Sequence, residues 1–113
     1  MSIKADGFNI TIPRGDSAEI GITPHIADSG EVYLIREGER IVFTILSRDC
    51  RKTIIEKSSD LQDEHGTVVF TLFPKETDIP RGDYRWKAKL IDEKGELIDT
   101  FIGGVGYAAF YVK

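Results

Sequence analysis

The chain has 113 residues, of which 41% are hydrophobic and 30% charged, and its formal net charge is −4. That length suits one domain, 1–113, with a single core, and the composition excludes a disordered chain. The mild acidity argues against nucleic acid as the main partner, because phosphate binding takes a concentrated basic surface.

Cys50 is the single cysteine, so no internal disulfide can form and the stapled secreted class is excluded. Met1–Asp16 contains no apolar run of signal-peptide length, and no segment could span a bilayer, so no membrane partner is expected. Synthesis in a reducing cytoplasm is the simplest reading.

In chain order, Phe8–Ile12 alternates apolar and polar residues until Pro13-Arg-Gly-Asp16 interrupts it. Ser17–Thr23 resumes the alternation, with Ala18, Ile20 and Ile22 on one face. Pro24 ends that run, and His25–Glu31 reads as a turn-rich connection. Val32–Arg36 is predicted as a short edge strand and Glu37-Gly-Glu39 as a turn. Arg40–Ser47 is a strand with Phe43 and Ile45 inward, although Val42, Thr44 and Leu46 make a nearly equivalent face and leave the register open. Lys52–Lys57 is a further strand whose adjacent Ile54 and Ile55 must point opposite ways. Ser58–Gly66 is polar and acidic, a loop or one helical turn.

Thr67–Phe73 is β-branched and aromatic, with Val68, Phe70 and Leu72 on one face. Pro74 stops it, because proline cannot donate to a ladder. Beyond the corner, Tyr84, Trp86, Ala88 and Leu90 alternate with Arg85, Lys87 and Lys89: a half-buried strand with a cationic outer face. Glu93-Lys-Gly95 is a hairpin turn that sends Glu96–Ile102 back beside it. Gly103-Gly-Val-Gly106 marks a bulge or wide loop, and Tyr107–Val112 is a terminal strand apolar on both faces.

Seven to nine short antiparallel strands without a sustained helical period indicate an all-β chain, an immunoglobulin-like two-sheet β-sandwich, with a small barrel as the competing architecture. The expected core is Ile20, Ile22, Phe43, Phe70, Leu72, Trp86, Ala88 and Leu90. Tyr84 follows a Pro-x-Gly turn at Pro80-Arg-Gly82, the setting of a tyrosine corner, in which the phenol bonds upstream backbone.

The motifs Ile12-Pro-Arg-Gly-Asp-Ser17, Thr71-Leu-Phe-Pro-Lys-Glu-Thr77, Ile79-Pro-Arg-Gly-Asp-Tyr84 and Leu90-Ile-Asp-Glu-Lys-Gly95 run through nearly the whole chain. In these the chain resembles the immunoglobulin-like N-terminal domain of phage baseplate upper proteins and related tail proteins. The Gly103–Gly106 stretch departs from that pattern. The resemblance implies a non-enzymatic virion module, made in the bacterial cytoplasm, whose partners are other phage tail or baseplate proteins. An adhesion or glycan-binding module on the same kind of scaffold is the alternative.

Candidate chemistry is sparse. The Arg-Gly-Asp tripeptides at 14–16 and 81–83 look like integrin ligands, but both read better as inter-strand turns in which glycine supplies a permissive backbone. Asp60, Asp63, Glu64 and His65 are the densest oxygen and nitrogen donors, yet they lack calcium-loop or zinc spacing, so no metal and no cofactor are expected. Cys50 with His25 or His65 would be a nucleophile–base pair, but none lies in a recognisable motif and Cys50 falls in a hairpin turn, so no catalytic residue is assigned. Trp86, Tyr84, Tyr107, Phe110 and Tyr111 would suit a sugar platform, but alternation puts Tyr84 and Trp86 in the core; a small-molecule partner is not expected. The terminal strand is the candidate interface. With Phe110 and Val112 inward, Tyr107, Ala109 and Tyr111 form an outward strip suited to self-association, a homo-oligomer docked through this edge, or to a partner protein.

Overall fold

The computed structural model describes residues 3–4, 10–26, 28–100 and 108–113, with backbone alone at 3–4, 98–100 and 108–109. The described strands are β1 (Ile3–Lys4), β2 (Ile10–Ile12), β3 (Ala18–Ile22), β4 (His25–Ile26), β5 (Arg40–Leu46), β6 (Thr53–Ser59) and β7 (Val68–Leu72). One helical turn, α1 (Pro74–Thr77), precedes β8 (Gly82–Ile91), β9 (Leu97–Thr100) and β10 (Ala108–Val112). The larger sheet runs β2-β10-β8-β5-β6, with β9 pairing the far half of β8. β3 and β7 form a second sheet, and β1 pairs β4. The chain is therefore all-β in two layers, and its sheets are separate among the described residues, so the barrel alternative does not apply there. Two details differ from expectation. Ten strands are described rather than seven to nine, and β10 runs parallel to β2, so the strands are not all antiparallel.

The core lies where the inner faces of the two sheets meet. β3 and β7 contribute Ile20, Ile22, Val68, Phe70 and Leu72; the larger sheet contributes Ile41, Phe43, Ile45, Trp86, Ala88, Leu90, Phe110 and Val112. Phe43 sits at the centre, with its ring centroid 5.5 Å from those of both Phe70 and Trp86. All eight residues expected in the core are buried.

β5 buries both faces, which is why its register was open in the sequence. Ile41, Phe43 and Ile45 point between the sheets. Val42, Thr44 and Leu46 lie opposite Lys89, Lys87 and Arg85 of β8 and are also buried. Long cationic side chains cover apolar surface with their stems while their heads reach water. The adjacent Ile54 and Ile55 are reconciled by a bulge. Ile45 pairs with Ile55 and Leu46 with Thr53, so Ile54 is the extra residue and both isoleucines are half-buried.

Three connections differ from expectation. His25–Glu31 contains β4 and a tight reversal, in which the Ile26 amide donates to the Glu31 carbonyl (2.7 Å). Val32–Arg36 is not a strand. Only Val32 bridges to His25, and the segment is held by Gln62, whose amide group donates to the Tyr33 and Gly66 carbonyls and accepts from the Ile35 amide. Ser58–Gly66 makes no helical turn; β6 runs on to Ser59 and Gln62 bridges Val68. Phe8 and the Gly103–Gly106 stretch lie outside the described residues. No helix among the described residues is long and apolar enough to cross a membrane.

Candidate functional site

One end of the sandwich gathers segments that are distant in sequence. Pro13 ends β2, and Gly15, at φ +80°, turns the chain toward β3. Phe73 ends β7, and its amide donates to the Glu76 carboxylate (2.9 Å), closing α1 after Pro74. The two turns meet. The Gly15 amide donates to the Thr77 carbonyl (3.3 Å), the buried Thr77 hydroxyl donates to the Asp16 carbonyl (2.6 Å), and the Arg14 guanidinium pairs with Asp78 (3.1 Å). β8 then opens with the Tyr84 hydroxyl donating to the Pro80 carbonyl (2.6 Å), the expected tyrosine corner. The first Arg-Gly-Asp is thus a turn whose arginine is engaged within the chain. The second is not a turn between strands: Gly82 and Asp83 already belong to β8.

Lys57 closes the open side of the sandwich beside this end. It lies on the inward face of β6 opposite Phe43, pairs with Glu76 at 2.7 Å and sits 4.9 Å from the Phe73 ring centroid. Burial alone would raise the Glu76 pKa, but the Lys57 contact and the Phe73 amide together hold it below the usual carboxylate range. An inward-pointing charge at a sheet edge also discourages edge-to-edge pairing.

The acidic loop is used structurally. The Asp63 carboxylate accepts from the Thr67 (3.0 Å) and His65 (2.8 Å) amides, which lower its pKa, and Glu64 faces His65 at 3.4 Å on the surface. Among the described residues no group of three or more His, Cys, Asp or Glu is placed to hold a metal. Cys50 lies in the β5–β6 hairpin, where Asp49 accepts from the Ser47 hydroxyl (2.6 Å) and the Arg51 amide (3.1 Å) beside an open hollow of about 530 Å³. Among the described residues the sugar platform does not assemble: Trp86 and Phe110 are fully buried, and the Tyr84 hydroxyl is engaged at the corner.

The terminal strand is not at an edge. Phe110, Tyr111 and Val112 pair with Ile10–Ile12 of β2 on one side and with Gly82–Tyr84 of β8 on the other. With its ladder groups paired to both neighbours there, the strand offers a partner a face and not an edge. Phe110 and Val112 are buried and Tyr111 is half-buried in the outward register, as expected. Tyr107 lies outside the described residues, as does the side chain of Ala109, whose backbone pairs with Arg85.

The same outer face carries a feature visible only in part from sequence. Arg85, Lys87 and Lys89 were legible as a cationic row, but Arg40 joins them only through the β5–β8 ladder, where it pairs with Ile91. Arg40 and Lys89 line a cleft of about 330 Å³ with Val42, Glu56, Lys57, Ser58 and Ile91. No protein-family model matches the chain, and no curated protein matches it at a significant level.

Proposed function

We propose that the chain is a non-enzymatic structural module of a phage tail or baseplate, built on an immunoglobulin-like sandwich and joining protein to protein in the virion. The observation that carries this reading is the joint between the two turn segments. Two of the motifs that resemble baseplate upper proteins, Ile12–Ser17 and Thr71–Thr77, hold each other at one end of the sandwich through Thr77–Asp16 and Gly15–Thr77, and Arg14 reaches Asp78 just beyond the second. They act as scaffold joints, which is the use a structural module makes of them. The immunoglobulin-like assignment is supported by the parallel β2–β10 pair, by the β10-β8-β5-β6 order facing β3–β7, and by the corner at Tyr84. In this reading the outward face of β10, around Tyr111, contacts a neighbouring copy or another tail protein. Tyrosine suits such a face because it offers broad apolar contact with a polar tip.

The test is to induce the strain that carries the gene, purify the particles and identify their proteins by mass spectrometry. The chain is expected at a fixed copy number per particle, and Tyr111→Lys is expected to reduce its incorporation while leaving the thermal midpoint near that of the wild type. Particles that lack the chain, together with glycan-array binding by the isolated protein, would overturn the proposal in favour of an adhesion module.

A further inference from the structure

We infer that the outer face of the larger sheet is a docking surface for an extended acidic segment of a partner protein, held by Arg40, Lys89 and Arg85. This inference stands on the charge and geometry of the face and not on the tail-protein reading. In β8, Arg85, Lys87 and Lys89 recur at every second residue, all on the side away from the core. Alternate residues of a strand are separated by about 6.6 Å. The row therefore has the repeat of a second extended chain with acidic side chains at alternate positions.

Arg40 reaches the same face from β5, so Arg40 and Lys89 border one cleft from neighbouring strands. The floor of that cleft, Val42 and Ile91, is 5% and 6% exposed, so it offers a partner little apolar contact. Recognition there rests on charge and hydrogen bonding, to which Ser58 adds a hydroxyl. Neither Arg40 nor Lys89 forms an ion pair among the described residues, whereas Arg14 and Lys57 do. Among the described side chains the opposing carboxylates on this face are Glu56 and Asp83, both exposed, against the four cations Arg40, Arg85, Lys87 and Lys89. The chain as a whole is at −4. A cationic strip on an acidic protein selects a partner locally and repels a long polyanion, which favours a protein segment over nucleic acid.

Preorganisation adds to the case. Val42, Thr44 and Leu46 are buried beneath this row, so the stems of the cationic side chains are already packed before a partner arrives. Less conformational freedom is then lost on docking. The Thr44 hydroxyl, in the middle of the face, is a buried side-chain polar atom without a partner among the described residues.

The experiment titrates the full chain, labelled for amide NMR, with a synthetic octapeptide of alternating Glu and Thr. A Gln–Thr octapeptide and inorganic phosphate at matched ionic strength serve as comparisons. Saturable shifts are expected at the amides around Arg40–Thr44, Glu56–Ser58 and Arg85–Ile91 with the acidic peptide alone. The affinity is expected to fall by about tenfold or more in Arg40→Gln/Lys89→Gln, and to fall as salt is raised, since such contacts are screened. Lys89→Arg, which keeps the charge, is expected to bind like the wild type, as is Lys75→Gln in α1, which lies outside the larger sheet. Thermal midpoints of all variants separate lost binding from lost folding. The inference is overturned if the acidic peptide gives no saturable shift, if the Gln–Thr peptide or phosphate acts equally well, or if the double variant binds undiminished. It is equally overturned if the face proves to join two copies of this chain, seen as wild-type self-association that the double variant abolishes.

Discussion

The Thr77 hydroxyl donates to the Asp16 carbonyl at 2.6 Å, although 61 positions separate the two residues in the chain. It also reaches the Pro74 carbonyl at 3.3 Å, and the side chain is fully buried. One short side chain thus ties the turn after β2 to the helical turn after β7. Thr77→Val keeps the shape, removes both bonds and leaves a buried carbonyl with less to accept. A loss of about 1–2 kcal/mol is expected in urea denaturation. Arg14→Ala, which removes only the exposed ion pair to Asp78, is expected to cost less than about 1 kcal/mol.

Trp86 is fully buried against Phe43, whereas Lys89, on the same strand, faces outward. Trp86→Ala should therefore cost about 3–5 kcal/mol, from lost burial and the cavity left behind. Lys89→Ala should stay below about 1 kcal/mol, since only its stem packs. Equal costs for the two would contradict the assigned faces of β8.

Two turn positions predict changes of opposite sign. Cys50 has φ +61°, in the left-handed region that suits glycine better than a side chain. Cys50→Gly is expected to raise stability by up to about 1 kcal/mol. Gly66 has φ +80° and is buried against Val32, where an added Cβ would collide with Cγ1 of that valine. Gly66→Ala is expected to cost about 2 kcal/mol or more, because backbone strain and the clash act together. Both variants are read by thermal and chemical denaturation.

Tyr33 supplies a pH test. Burial, then its hydrogen bond to Glu39 (2.7 Å) and the Glu39 charge, push the phenol from 10.0 up to about 12, while Arg36 opposes them. A pKa raised on folding means that the folded chain holds the proton more tightly than the unfolded one. The contribution is thus complete below pH 10 and is lost as pH rises toward 12. About 2–3 kcal/mol of stability should disappear across that window. Tyr33→Phe should flatten this part of the profile; a profile unchanged by the substitution would remove Tyr33 as its cause.

Strands with one buried face were legible in the sequence. Ala18, Ile20 and Ile22, and likewise Val68, Phe70 and Leu72, alternate because one side of each strand meets the core and the other does not. The corner at Tyr84 and the turn at Glu93–Gly95 were legible as well, because proline and glycine act through the local backbone. β5 was not, since Val42, Thr44 and Leu46 on its outer face are buried along with Ile41, Phe43 and Ile45 on its inner face, so alternation favours neither side. Val32–Arg36 had the composition of a strand, but its Tyr33 carbonyl and Ile35 amide are taken up by the side chain of Gln62, a contact that no local pattern encodes. The terminal strand looked like an edge because the parallel partner that covers its other side, β2, lies far away in the sequence. The same long-range pairing decided the candidate site. The row from Arg85 to Lys89 can be read directly from β8, whereas its junction with Arg40 exists only because β5 lies beside β8 in one register. Alternation tells which side of a strand a residue occupies, but only the ladder between strands tells which residues share that side.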